Sequence, residues 1–196
     1  MRVRSTLVAL LVAFIVAIPS PARAGHHLWR LTQAFSNASG SVQFLQLFVA
    51  EDGEAGVGPF TVTASGHTFN FVTNLPTTST ANTWILIATS GFGSLPGGVT
   101  PDYIIPGNFF ATGGGTINYA GVDAWTYGVV PTDGVHSLMR DGTTPVNSPK
   151  NFAGQSGTVN LATGVPALPT TGIVVLVGAL LLAGSGLLRK RTPSQA

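Results

Sequence analysis

The sequence predicts an all-β protein, specifically a β-sandwich of about nine short strands. Short apolar segments, several with strict two-residue alternation, are separated by turns rich in Gly, Pro, Asn and Ser. Thr, Ser, Asn and Gly are plentiful while charged residues make up only 8% of the chain, a composition that suits a β-rich exported protein. No long 3.6-residue period occurs outside the two chain ends, so helices are expected only there.

The first 24 residues have the features of a secretory signal peptide. A basic start, Met1 to Arg4, precedes an apolar run over residues 7–18 that is too short to span a membrane. Ala22 and Ala24 then supply the small residues of an A-x-A cleavage site. We therefore predict a signal helix that is removed after Ala24, leaving Gly25 as the mature amino terminus.

That cleavage would expose the tripeptide Gly25-His26-His27. A free amine, two backbone nitrogens and the imidazole of His27 can form a square-planar set, which suits Cu(II) or Ni(II). This pattern predicts a labile copper site at the mature amino terminus, with His26 beside it, and no other cofactor. The simpler interpretation is that two polar residues mark the junction between signal peptide and first strand.

Residues 25–161 are predicted to form the β-sandwich domain, and its first half contains one central strand and one hairpin. Strands are expected at residues 28–33, 42–50, 60–63 and 67–72. The segment 42–50 is mostly apolar and predicts a strand buried on both faces. The last two segments flank Ala64-Ser-Gly66 and predict a hairpin.

The second half predicts a buried strand, a long loop and another hairpin. Strands are expected at residues 83–88, 103–105, 116–119, 122–130, 135–140 and 158–161. The short segment 103–105 lies inside a Gly- and Pro-rich stretch, and Ala120-Gly121 is the expected turn of the second hairpin.

Charge distribution argues against a nucleic-acid partner. The net charge of +2 comes from basic residues in the two ends of the chain. Between residues 25 and 171 only Arg30, Arg140 and Lys150 oppose seven acidic residues, and three minus seven is −4. Without a basic patch the domain lacks the electrostatic footprint of nucleic-acid binding. The chain also contains no cysteine, which excludes disulfides and thiolate sites.

We predict no catalytic residues and no enzymatic activity. Asp133, His136, Ser137 and Asp141 resemble the parts of a hydrolytic triad, and a hydrolase is the least favoured alternative. Adjacent residues on a strand point to opposite faces, however, so His136 and Ser137 are not expected to meet. The acidic group Glu51, Asp52 and Glu54 offers oxygen ligands for Ca²⁺, but a solvated loop is the preferred interpretation.

Trp125 and Tyr127 share one face of a predicted strand and allow two interpretations. Exposed, they would form an aromatic platform with Thr116 and Asn118 beside it, which would favour a glycan-binding module. Buried, they would fill the sandwich core, where aromatic residues contribute most of the apolar area. The core position is the favoured expectation.

The segment 162–172 links the domain to an apolar stretch, residues 173–188, which is followed by a basic tail, residues 189–196. The stretch predicts a transmembrane helix whose basic flank stays cytoplasmic. Leu168-Pro169-Thr170-Thr171-Gly172 resembles the LPXTG sorting signal of sortase-anchored proteins, which implies a cut between Thr171 and Gly172. Val165, Pro166, Leu168 and Gly172 also resemble Gram-negative sorting signals beginning Val/Ile-Pro-x-Leu. Either resemblance implies a sorting protease or transpeptidase as partner, and the absence of a long stalk favours the Gram-negative one.

Within the body, Phe44-Leu-Gln-Leu47 and the apolar segment 84–87 resemble strands of the lamin-tail type of immunoglobulin-like sandwich. Gln46 departs from the glutamate usual in that family. The resemblance implies an immunoglobulin-like fold in an adhesive or structural domain and carries over no catalytic residue. We therefore expect an exported, surface-displayed structural or adhesive protein, whose ligand, glycan or protein, is not identified. A glycan-binding surface module is the alternative.

Overall fold

A computed structural model of the chain describes residues 25–162, and these residues form an all-β structure. They contain nine strands and a single 3₁₀ turn, Phe92–Ser94, with no α-helix. The strands are β1 Arg30–Ser36, β2 Gln43–Val49, β3 Thr61–Ala64, β4 His67–Asn70, β5 Thr83–Thr89, β6 Tyr103–Ile105, β7 Gly115–Tyr119, β8 Asp123–Tyr127 and β9 Leu138–Met139. The predicted all-β class and the number of about nine strands are confirmed.

The strands form two sheets, one of five strands and one of four. The larger sheet has the order β6-β5-β2-β1-β9, and the smaller has the order β4-β3-β7-β8. The β5/β6 pair is parallel, and the other described pairs are antiparallel. As the sequence predicted, β2 is central, because it is hydrogen-bonded to β1 on one side and to β5 on the other.

Both predicted hairpins form around two-residue turns of left-handed backbone. Ser65 and Gly66 have φ of 50° and 81°, and Ala120 and Gly121 have φ of 56° and 69°. Two successive positive φ angles define the type I′ turn, whose twist matches that of the flanking strands. These short turns fix the β3/β4 and β7/β8 registers, and therefore which residues face inward.

The inward faces of the two sheets share one apolar core. The larger sheet contributes Leu31, Ala34, Leu45, Leu47, Val49, Ile85 and Ile87, and the smaller contributes Val62, Ala64, Ile117, Tyr119, Trp125 and Tyr127. Residues of both sheets are thus buried against each other in the manner of a sandwich.

The outer face of the larger sheet is also covered. Phe35, Phe44, Leu86 and Ala88 form a second cluster with Phe92, Val99 and Val159, which come from loops. Burial on both faces explains why β2 reads as a nearly continuous apolar run, and why Gln43 and Gln46 are buried as well.

The segment near residues 158–161 is not a strand, so that prediction was wrong. The buried side chain of Asn147 forms the hydrogen bonds that a neighbouring strand would otherwise form with this segment. Asn147 Nδ2 donates to the carbonyls of Val135 and Val159, at 2.6 and 2.7 Å, and Val159 N donates to Asn147 Oδ1 at 3.0 Å. Because one amide group satisfies both backbone groups of Val159, the segment packs on the sheet without joining it.

Other predicted strands differ in their bounds. The strands expected at residues 67–72 and 122–130 end at Asn70 and Tyr127. The strand expected at residues 135–140 is reduced to β9, because His136 and Ser137 are held by loop contacts instead of a ladder. The first strand starts two residues later than predicted, and its pairing with β2 shifts between Leu31 and Gln33. This shift marks a β-bulge.

Several predictions lie outside the described residues. They are the signal peptide with Ala22 and Ala24, the sorting motif from Val165 to Gly172, the helix at residues 173–188 and the basic tail. Within residues 25–162 no helix is long and apolar enough to cross a membrane.

Candidate functional site at the amino-terminal segment

The amino-terminal segment is held against the loop that joins β2 to β3. Gly25 N donates to Gly53 O at 2.6 Å, and Gly25 O accepts from Gly56 N at 2.8 Å. The ring of His26 stacks on that of Phe60, with centroids 3.3 Å apart and planes 13° from parallel. Gly25 and His26 are therefore part of the folded domain, although no strand includes them.

Glu54 lies at the centre of this segment. Its side chain is only 5% exposed. Oε2 accepts from Leu28 N at 3.0 Å, while Oε1 lies 3.9 Å from His27 Nε2. The backbone of Glu54 is also fixed, because its carbonyl accepts from Trp29 Nε1 at 2.7 Å and its amide donates to Thr80 Oγ1 at 3.0 Å. A buried carboxylate is thus held rigidly beside Gly25 and His27.

The surroundings of Glu54 change the proton affinities of its neighbours. Burial lowers the pKa of His26, and the nearby His27 lowers it further, while Glu54 acts in the opposite direction. Burial and then the charge of Glu54 raise the pKa of Tyr119, whose hydroxyl donates to His26 O at 2.9 Å. Tyr119 therefore stays protonated and acts as a fixed donor at neutral pH.

The copper site predicted for Gly25, His26 and His27 requires an arrangement of nitrogens that differs from the present contacts of these residues. Four nitrogens would have to surround one ion, whereas Gly25 N is bonded to Gly53 O and the His26 ring lies on Phe60. His27 Nε2 faces Glu54, which leaves Nδ1 as the ring nitrogen for a metal. The copper site stays a prediction, and metal binding would have to displace part of these contacts.

A shallow cleft of about 620 Å³ opens over the same segment. It is lined by Gly25, His26, His27, Gly56, Pro59, Phe60 and Asn74. Glu54 lies beneath this surface, because its carboxylate is covered by Gly25. The polar groups that a ligand in the cleft can contact are therefore imidazole and amide groups. The Glu54 carboxylate is not accessible to a large ligand.

The residues that resembled a hydrolytic triad do not assemble. His136 Nδ1 lies 2.5 Å from Asp133 Oδ2. Ser137, however, is buried on the other side of the segment, where its Oγ accepts from Gln33 Nε2 at 2.6 Å. Hydrogen bonds from the backbone and ring of His136 hold the pKa of Asp133 down at about 2. This pair is a surface turn contact.

The acidic loop is only partly the solvated loop that the sequence predicted. Glu51 and Asp52 are exposed, but Glu54 is buried, because it turns inward to accept from Leu28 N. Asp52 Oδ1 accepts from Thr80 N at 2.7 Å. The three carboxylates point to different partners, and residues 25–162 contain no group of three or more His, Cys, Asp or Glu side chains arranged to hold a metal.

Trp125 and Tyr127 are buried in the core, as favoured, and do not form an exposed platform. Tyr127 Oη donates to Ala111 O at 2.8 Å. Thr116, expected beside the platform, instead contacts Thr126 on the outer surface of the sheet.

Two other carboxylates, the buried Asp123 and the half-buried Asp102, were not predicted as important from the sequence. Asp123 Oδ2 accepts from Arg140 Nη1 at 2.6 Å and from Leu31 N at 2.8 Å, which ties the two sheets together. Asp102 accepts from the amides of Leu86 and Phe152, and burial raises its pKa despite those two hydrogen bonds. The sequence indicated only that Asp102 precedes a predicted strand and that Asp123 lies within one.

The chain matches no protein-family model, no curated protein and no solved structure.

Proposed function

We propose that this chain is an exported bacterial protein whose β-sandwich serves a structural or adhesive role at the cell surface. A signal peptide directs export, and a C-terminal sorting signal directs processing. The domain left between the two cuts is the displayed part of the protein.

The observation that supports this proposal is that residues 25–162 form a β-sandwich that holds its own terminal segments. Gly25 is paired with Gly53 and Gly56, and Leu161 N donates to Gly134 O at 2.8 Å. The displayed domain that we propose therefore contains the partners for these contacts within itself.

The finer fold that we propose is immunoglobulin-like. In that sandwich, strands A, B and E share one sheet and strands C, F and G share the other. Here β1, β2 and β5 are neighbours in the A, B, E order, while β3, β7 and β8 follow the C, F, G order with β4 beside β3. The parallel strand β6 and the short strand β9 are additions at the edges of the larger sheet.

The lamin-tail resemblance is compatible with this arrangement. Its two best segments fall on β2 and β5, which are directly paired, with Leu45 opposite Ile87 and Leu47 opposite Ile85. Gln46, at the position of the usual glutamate, accepts from Lys150 N at 2.7 Å and so holds the segment after β9 on the sheet. A glutamine suits this contact because its carbonyl accepts without burying a charge.

The intact mass of the protein from its native host tests the proposed processing. We expect a chain that starts at Gly25 and lacks residues 173–196, with Gly172→Ala retaining the C-terminal segment. Thr170→Ala is the matched control, since position 170 is the variable place of the sorting motif and its substitution leaves processing intact. A native mass that includes the apolar stretch would replace the sorting proposal with a permanent anchor.

The two sorting families differ in the product they leave. We favour the Gram-negative type, for which the processed carboxyl end carries no wall fragment. A peptidoglycan fragment linked to Thr171 in the same mass spectrum would instead assign the signal to the sortase family.

A further inference from the structure

Glu54 lacks a strong partner for its charge in the described part of the chain. One backbone amide, Leu28 N, donates to Oε2, and no hydrogen-bond donor among residues 25–162 reaches Oε1. The nearest cationic candidate is His27 at 3.9 Å, and its side chain is 63% exposed. An ionised carboxylate in a buried position is costly unless it is paired with an opposite charge and hydrogen-bonded.

Gly25 lies directly against this carboxylate. A methyl group added to Gly25 would overlap Glu54 Oε1 and come within 2.9 Å of its Cδ. The nitrogen of Gly25 donates to the carbonyl of Gly53, the residue before Glu54, and its carbonyl accepts from Gly56. Gly25 is thus fixed from both sides of Glu54, with its Cα beside Oε1, the oxygen that no donor among residues 25–162 reaches.

We propose that Glu54 is the binding site for the α-ammonium group that signal-peptide cleavage creates at Gly25. The inference rests on the amino-terminal cleavage in the proposed function. Hydrolysis of the Ala24–Gly25 bond adds water, with the hydroxyl going to the Ala24 carbonyl and the proton to the Gly25 nitrogen. At neutral pH the new amine takes up a further proton from solvent.

The change at Gly25 N supplies what Glu54 lacks. As a peptide nitrogen it has one hydrogen, which is used by Gly53 O. As an ammonium it has three hydrogens and a positive charge beside Oε1. A charge-assisted hydrogen bond to a carboxylate is about twice as strong as a neutral one. Processing therefore strengthens the attachment of the amino-terminal segment to the domain.

The test compares a chain that runs from Gly25 to Ala196 with the complete precursor in the same detergent. Only the shorter chain has an ammonium group at Gly25, so the comparison separates the role of that charge from the role of the Glu54 carboxylate. We expect Glu54→Gln to lower the folding equilibrium constant of the cleaved chain about tenfold more than that of the precursor, the factor that corresponds to one pKa unit of coupling. Glu51→Gln is the matched control, because Glu51 is exposed, and its effect is the same in both chains. An equal loss for Glu54→Gln in the two chains would overturn the proposal.

Acetylation of the wild-type chains provides a second measurement in case the Glu54 variant does not fold. The reagent neutralises lysine side chains in both chains but the Gly25 amine only in the cleaved one. We expect the cleaved chain to lose more stability, about tenfold in the folding constant. Equal losses in the two acetylated chains count against the ion pair.

The titration of the Gly25 amine, followed by NMR with ¹⁵N-glycine, is the direct readout. The titratable groups packed around it are Glu54, His26 and His27, with Tyr119 bonded to the His26 carbonyl. We expect the amine to titrate above the usual 7.7–8.0 and to return to that range in Glu54→Gln. An amine that titrates in the usual range in both proteins overturns the proposal alone, whereas a native mass without a Gly25 terminus overturns the proposed processing and, with it, this proposal.

Discussion

Asp123 and Glu54 are two buried carboxylates that obtain their partners in different ways. Asp123 accepts from Arg140, a residue that follows β9 in the other sheet, so folding alone completes its ion pair. Glu54 has a backbone amide and a distant, exposed histidine. Folding thus completes the Asp123 site in the precursor, whereas our proposal completes the Glu54 site only when cleavage creates an amino terminus at Gly25.

The largest expected effect is at the Asp123 site. Arg140→Met keeps much of the side-chain volume but leaves Asp123 buried without its cation. We expect a loss of about 3 kcal/mol in unfolding free energy, at the low end for a broken buried pair because the arginine side chain is 39% exposed. Urea unfolding of precursor and cleaved chain measures this loss, which is the same in both.

Lys150→Met is the matched control for that prediction. Lys150 lies over the Trp84 ring at 4.4 Å and pairs with no carboxylate in the described residues. Its removal is expected to cost about 0.5–1 kcal/mol. If both variants lost equal stability, Asp123 would not depend on its cation, and the contrast with Glu54 would disappear.

Asp102 provides a third case, in which two backbone amides compensate a half-buried carboxylate. Asp102→Ala leaves the amides of Leu86 and Phe152 without an acceptor, and we expect a loss of about 2 kcal/mol at low pH, where the wild-type carboxyl is protonated.

The pH dependence of Asp102 has a definite sign. Because burial raises its pKa above the ordinary 3.8, the folded state binds the proton more tightly than the unfolded state. Its contribution to stability is therefore present below 3.8 and decreases as pH rises through the folded-state pKa. Unfolding midpoints across this range should show the decrease in wild type and not in Asp102→Ala; an identical slope would mean that burial does not govern this group.

Copper binding tests whether the Glu54 carboxylate interacts with the amine of Gly25. We expect one equivalent of Cu(II) to give a visible d–d band with the mature protein, lost in His27→Ala and retained in His67→Ala. Because the metal needs the Gly25 amine without its extra proton, Glu54→Gln should tighten binding, up to about tenfold. Weaker binding in Glu54→Gln would show instead that the carboxylate supports the metal site.

The smallest expected effect concerns Asp133, an exposed carboxylate. Hydrogen bonds from His136 lower its pKa to about 2, so its contribution is present above 3.8 and lost as pH falls toward 2. The side chain is 49% exposed, and solvent screening keeps the contribution below about 0.5 kcal/mol. Asp133→Asn, measured beside Glu51→Gln by thermal unfolding at pH 5 and pH 3, should differ from wild type less at pH 3 than at pH 5.

The elements that were predicted correctly depend on local patterns. Alternation predicted β8, where Asp123, Trp125 and Tyr127 are buried and the residues between them are exposed. The turns Ser65-Gly66 and Ala120-Gly121 are two-residue loops of small or flexible residues, whose allowed backbone angles largely determine the hairpins.

The candidate site depended on contacts between residues distant in sequence. Glu54 was predicted in a solvated loop, since three acidic residues in four positions resemble a solvated surface. Its burial results from Leu28 N, 26 residues away, and from Gly25 packing over it. No spacing rule in the sequence connects these residues.

The sequence by itself determined the all-β class, the two hairpins, the central β2 and the aromatic core, because alternation and turn conformations are properties of neighbouring residues. Only the tertiary structure decided that Asn147 would replace a strand at Val159, that Arg140 would join Asp123 across the sheets, and that Glu54 would lie against Gly25. Such side-chain partners are selected by where the packed sheets bring distant residues, and a buried polar group must then be satisfied by whatever donor lies there.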